Sequence, residues 1–144
     1  MDETVRKALF KRVNEEPFAR KMKLKLVELD AGYSVVEMTF TKDMENIFGM
    51  AHGGAVFALI DEAFETAGNS HGTVAVALNM NITYTAAPAS GARLRAVAKE
   101  VNLTRRTATY DIRVTDEKDT LIAVCSALVY RKKDRLPFLE RDEQ

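Results

Sequence analysis

Cysteine is nearly absent from this sequence. Cys125 is the only one in 144 residues, so no disulfide can form within the chain and a reducing, cytoplasmic setting is expected. An excess of one charge is missing too, because 21 Lys and Arg balance 21 Asp and Glu. Nucleic acid demands a basic surplus, so it is not an expected partner, whereas a small anion gripped by a few local cations stays open. No apolar run approaches the ~18 residues of a membrane span, and a membrane is not an expected partner. The longest, residues 53–60, is cut by Asp61. Residues 1–14 mix Arg6, Lys7, Lys11 and Arg12 with Val5, Leu9 and Phe10, which predicts an amphipathic helix over about 2–14 and not a signal peptide. His52 and His71 have no cluster of other ligands near them in sequence, so no metal site is expected. The chain has no Gly-x-Ser-x-Gly elbow, and Cys125 lies in a core-like strand pattern. Repeats, low-complexity tracts and linkers are absent as well.

What is present is enough for one packed core. The hydrophobic fraction is 47% and the charged fraction 29%, which predicts a single domain over 1–144 with a charged, loose tail over about 132–144. Residues 23–29 and 33–41 read as a strand pair turned at Asp30, Ala31 and Gly32. Residues 55–68 lack proline, are rich in alanine and are apolar nearly all round, as a helix buried on most sides would be. Residues 73–85 alternate for a long stretch, and strands are expected at 93–103, 107–115 and 120–130, the last one central. The connections after Tyr84 are too short for crossover helices, which excludes a parallel doubly wound sheet. The expected class is α+β, an antiparallel sheet wrapped around one long helix.

The chemistry concentrates in residues 46–61. Gly53 and Gly54 stand at the entrance of the helix, where the first N–H groups have no partner within it and the positive end of the dipole is exposed. That is a seat for a developing oxyanion. Asp61 lies about two turns further, in apolar surroundings. Burial would raise its pKa, and Glu65 at i+4 would push the same way. A carboxylate in such a cleft can activate water or attack a carbonyl itself. With Asn46 and His52 as polar neighbours, these parts suit acyl transfer.

The pattern Asn46-x5-His52-Gly53-Gly54-x6-Asp61 resembles the active-site signature of hotdog-fold acyl-CoA thioesterases, specifically the PaaI-like (phenylacetyl-CoA thioesterase) group. The likeness continues through Asn79, Met80, Asn81, Ile82, Thr83 and Tyr84 to Pro88 and Gly91, and spans roughly residues 40–130. It implies the hotdog fold and hydrolysis of an acyl-, aryl- or arylacetyl-CoA with no cofactor beyond the CoA of the substrate. The Gly53 N–H would hold the thioester oxygen. His52 and Asn46 would orient the thioester or the water. Asp61 would be base or nucleophile, supplied by a neighbouring subunit. It also implies a homodimer or homotetramer with active sites at the dimer interface. The CoA arm would run past the turn at 102–107, where Arg105 and Arg106 suit phosphate, with Asn79 a weaker contact. One departure stands out: Ala77 occupies a position where some relatives carry Ser or Thr. Plainer roles stay open for several of these residues: helix cap for His52, turn former for Asn46, solvated hairpin tip for Arg105 and Arg106. Two other functions fit the same fold, a non-catalytic acyl-CoA-binding hotdog protein and a hotdog dehydratase.

Overall fold

The structure is a computed structural model and describes residues 1–139. Helix α1, Glu3–Glu15, begins at Asp2, whose side chain accepts from the N–H groups of Thr4 and Val5. Val5, Leu9 and Val13 recur at i+4 and form its buried stripe. A second short helix, α2, Pro17–Met22, was not expected from the sequence. Pro17 starts it, where the missing N–H costs nothing, and Lys23 ends it with φ 55 in the left-handed region.

The strands are β1 Lys25–Asp30, β2 Tyr33–Thr39, β3 Thr73–Tyr84, β4 Arg93–Leu103, β5 Thr107–Thr115 and β6 Leu121–Arg135. They form one antiparallel sheet in the order β1-β2-β4-β5-β6-β3. Helix α3, Gly53–Asn69, lies between β2 and β3 in the chain and carries it from one side of the sheet to the far edge. It packs against β1 to β6, so the sheet curls around it. This is the hotdog architecture that the resemblance implies.

Two boundaries need correction. Gly53 and Gly54 are the first two residues of α3, which starts two residues earlier than the 55–68 pattern suggests. The expected loose tail is part strand. β6 continues to Arg135, which pairs with Thr73, and beyond it Leu136 and Leu139 are buried. The side chains of residues 132–135 are exposed on both faces while the strand stays paired at Arg131 and Arg135, so the charged composition marks a solvated strand end and not a loose tail. Residues 140–144 lie outside the described residues. β6 has a neighbour on each side, in keeping with its apolar run, but it stands fifth of six strands rather than at the middle. The two edges of the sheet are β1 and β3.

Packing of α3 is tight and mostly dry. Leu59, Ile60, Ala63 and Ala67 are fully buried, and Phe64 meets Tyr110 edge to face with centroids 5.7 Å apart. Ser34, buried on β2, donates its hydroxyl to the Ala63 carbonyl at 2.6 Å. At the C-terminal end the Ser70 hydroxyl accepts from the Gly32 N–H at 2.8 Å. Gly32 has φ 68, and a Cβ there would stand 2.7 Å from the Glu100 Cβ, so the β1–β2 turn needs glycine twice over. Glu100 in turn accepts from Tyr110 and contacts His71, both at 2.7 Å.

Leu59 tests this packing. Leu59→Ala is expected to lower the unfolding free energy by about 2–5 kcal/mol, read from urea denaturation. A loss below ~1 kcal/mol would mean that α3 is not the centre of the core.

Candidate active site

His52 is the N-cap of α3. Its backbone is extended, φ −68 and ψ 129, and its Nδ1 accepts from the Gly54 N–H at 2.8 Å. A neutral ring accepting there carries its proton on Nε2. With Gly54 and Ala55 both bonded back to His52, Gly53 is left with an N–H that meets no acceptor among the described residues. No acidic side chain lies in the first turn to neutralise this end of the helix. Tyr84 closes over the spot, donating its hydroxyl to the Gly53 carbonyl at 3.1 Å. A Cβ on Gly53 would lie 3.3 Å from the Tyr84 ring, so glycine permits this close approach.

Asn46 builds the loop leading to His52. Its side-chain oxygen accepts from the N–H groups of Phe48 and Met50 at 2.9 and 3.1 Å, and its amide donates to the Ala51 carbonyl at 3.5 Å. In this chain Asn46 is therefore occupied as a turn former, and His52 as a cap. The loop carries features that sequence reading passed over. Ile47 is 92% exposed and Phe48 77% exposed, an apolar lip beside the entrance of α3. Their signal in the sequence is the apolar triplet Ile47, Phe48 and Met50.

Asp61 lies elsewhere. It is half-buried in a cleft of about 280 Å³ shared with Glu16, Phe18, Glu62, Glu65 and Ala77. Burial pushes its carboxyl above the usual range, and the charge of Glu16 adds to the effect. Asp61 has no hydrogen bond or ion pair among the described residues. Among the described residues no hydroxyl side chain lines this cleft, and Ala77 is exposed in it.

Two more carboxylates accompany Asp61. Glu62 is only 3% exposed, and burial together with Glu16 and Glu65 pushes its pKa up to about 10. Glu65 is an exposed residue, yet burial of its carboxyl end and the charges of Glu16 and Asp61 push its pKa up to about 7. Glu65 was anticipated beside Asp61, but Glu16 was not. It arrives through α2, and nothing near it in sequence marks it.

The chain does not bring Gly53 and Asp61 together. They are eight residues apart on one straight helix, about 12 Å along its axis. Asn79 is exposed beside a bulge in β3 and accepts from the Asn81 amide. Arg105 and Arg106 are exposed at the tip of the β4–β5 hairpin, where Arg106 donates to the Tyr130 hydroxyl at 3.0 Å. Tyr130 pairs with Val76, which lines the Asp61 cleft, so this tip shares the Asp61 end of the sheet and not the Gly53 end.

Comparison with known proteins resolves what this arrangement belongs to. The pattern of the thioesterase superfamily matches residues 48–123, just over half of the chain. The acyl-coenzyme A thioesterase PaaI of Escherichia coli K12 is 33% identical over 106 residues, 74% of this chain and 76% of its own. The chain belongs to the thioesterase superfamily. Among solved structures, the E. coli PaaI protein from the phenylacetic acid degradation operon is similar with a TM-score of 0.88 at 27% identity, over 92% of this chain and 96% of its own. A mutant of the phenylacetic acid degradation protein PaaI from Thermus thermophilus is 41% identical with a TM-score of 0.78, over 81% of this chain and all of its own. This thioesterase is thus a hotdog protein of the PaaI-like group and a thioester hydrolase. No helix among its described residues is long and apolar enough to cross a membrane.

Cys125 takes no part in the site. It is buried on β6, and burial pushes its thiol up to about 11. The folded thioesterase is expected to resist a disulfide reagent at pH 8, where only about one thiol in a thousand would be ionised. Unfolding in guanidinium should release one reactive thiol per chain. Complete reaction of the native protein within a minute would show that Cys125 is accessible.

Proposed function

We propose that this thioesterase hydrolyses an acyl-CoA, of the aryl or arylacetyl kind, at a site made by two copies of the chain. One observation carries this reading. Helix α3 holds an N–H without an acceptor at its positive end and an unpaired carboxylate two turns on, too far apart to act on one thioester. Antiparallel pairing of two β3 edges would bring the Gly53 end of one helix near the Asp61 end of the other. The β3 edge suits this. It is 12 residues long, unpaired on its outer side, and exposes Val76 and Leu78 by 39% and 58%.

The Gly53 N–H then takes the thioester oxygen as negative charge develops on it. Asp61 of the other copy accepts a proton from water, the water oxygen bonds to the acyl carbon, and the carbon–sulfur bond breaks. The proton passes to the departing thiolate, giving the free acid and CoA. Asp61 attacking the carbon directly would reach the same products through an anhydride. A single turnover in ¹⁸O-water distinguishes the two, since only the anhydride route can leave label in Asp61. His52 and Asn46 act from the loop, holding the Gly53 N–H open and shaping the apolar lip at Ile47 and Phe48. The exposed Arg105 and Arg106 fit the CoA phosphates, with Asn79 nearby on β3. No cofactor beyond CoA itself is required by these steps.

The test is thiol release over a panel of acyl-, aryl- and arylacetyl-CoA esters. Asp61→Asn should lower kcat by about 10²–10⁴ with little change in KM. Activity within twofold of the parent would remove Asp61 from the mechanism. Leu78→Asp should convert the dimer to monomer by light scattering and abolish turnover together. Full activity in a monomer would show that one chain suffices.

A further inference from the structure

Nothing in the hydrolysis just described uses Glu16, Glu62 or Glu65, and they are the least explained polar groups in the chain. Glu62 and Glu65 are at i and i+3 on α3, so they share one face of the helix, a turn apart. Glu16 comes from the arm at the chain's beginning, where it is the N-cap residue of α2 but makes no side-chain capping bond. One carboxylate oxygen from each of the three lies within 4.8 Å of the others.

Two further observations bear on this cluster. Glu62 is 3% exposed, and its Oε1 is buried without a hydrogen-bond partner. The polar groups beside it are the Glu16 and Glu65 carboxylates, which offer it no donor when ionised, so the three are relieved by a shared proton or by a cation. The second is the company it keeps. Asp61 is the fourth carboxylate in the cleft, and among the described residues no Lys, Arg or His lines it. Arg12, the basic side chain that borders the adjoining hollow with Glu16 and Glu65, is turned to Glu15 at 3.9 Å and over the Phe138 ring at 5.7 Å.

We infer that Glu16, Glu62 and Glu65 form a binding site for one hard divalent cation of the Mg²⁺, Mn²⁺ or Ca²⁺ class. The chemistry of the donors selects that class. Three carboxylates with no thiolate or imidazole suit a hard, oxygen-loving ion and not zinc or copper. The cleft opens to solvent beside the cluster and admits the waters that would complete the shell. The expectation of no metal rested on the two histidines, and the donors here are glutamates. The ion would bind the arm, through Glu16, to the central helix, through Glu62 and Glu65. This inference is independent of the thioesterase reading, because its readouts are binding and stability and not turnover.

The experiment uses the full chain, stripped with a chelator, dialysed and titrated with MnCl₂, with free Mn²⁺ followed by electron paramagnetic resonance. The expected result is about one Mn²⁺ per chain, displaceable by Mg²⁺ or Ca²⁺, with a rise in Tm on loading. Glu62→Gln should weaken uptake by at least about tenfold. Glu65→Gln, at an exposed position, should do the same if the first variant folds poorly. Circular dichroism confirms folding of each. No uptake by the parent at millimolar Mn²⁺ would overturn the inference and leave shared protons as what relieves the cluster. Unchanged uptake in Glu65→Gln, or in a folded Glu62→Gln, would overturn it by placing the ion elsewhere.

Discussion

The structure depends on the burial of α3. Its apolar side chains fill the space inside the curled sheet, and Leu59, Ile60, Ala63 and Ala67 have no solvent contact. Such a helix tolerates polar groups only where each finds a partner. Most do. Thr66 donates its hydroxyl to the Glu62 and Ala63 carbonyls, Ser34 reaches the Ala63 carbonyl from β2, and Asn69 bridges Glu65 to Ala75. Against that background the exceptions stand out. The Gly53 N–H, the Asp61 carboxylate and the Glu62 Oε1 are left without protein partners among the described residues. Arg131 Nε on β6 is likewise buried without a partner, and along α3 itself these three are the groups left to be met by something outside the chain.

Rigidity converts that list into geometry. A hydrogen-bonded helix packed into the curled sheet does not bend to bring its first residue to its ninth, so the distance from Gly53 to Asp61 is fixed by helical rise. The sheet order adds a second constraint. Because α3 delivers the chain to the far edge, β3 has a hydrogen-bonded neighbour only in β6. A long open edge with exposed apolar side chains persists in a folded protein when something covers it. The helix spacing and the open edge are thus the two features on which the proposed two-chain site rests.

Much of this was legible in the sequence. Residues 55–68 announced a buried helix through alanine content and all-round apolarity, and the alternation at 73–85 gave the longest exposed strand. Gly53 and Asp61 stood out through elementary physics, a bare helix entrance and a charge in an apolar run. The failures have equally specific causes. α2 is six residues long, too short for a periodic signal, and is held by Pro17 at its start and by tertiary contact rather than propensity. Residues 131–135 are all charged, and only the pairing of Arg131 with Ala75 and of Arg135 with Thr73 makes them a strand. The burial of Glu62 was invisible because what covers it includes Glu16, 46 positions earlier in the chain. Asn46 and His52 were recognisable by resemblance, yet the hydrogen bonds that occupy them, to the turn and to the Gly54 N–H, exist only in the folded loop.

Zero net charge conceals a segregated surface. Four carboxylates converge on one cleft, while Lys7, Lys11 and Arg12 lie on α1 and Arg105 and Arg106 at the hairpin tip. A CoA ester carries its negative charge on phosphates several bonds from the thioester. A basic tip can draw in the phosphates, but the reacting group must then approach an acidic cleft. Repulsion from the cleft falls on the wrong end of such a substrate unless its charge is partly cancelled. A cation held by Glu16, Glu62 and Glu65 would cancel part of it within the cleft that Asp61 shares. The arm at the chain's beginning then has a physical reason to fold against α3: it brings the third carboxylate that completes the cluster.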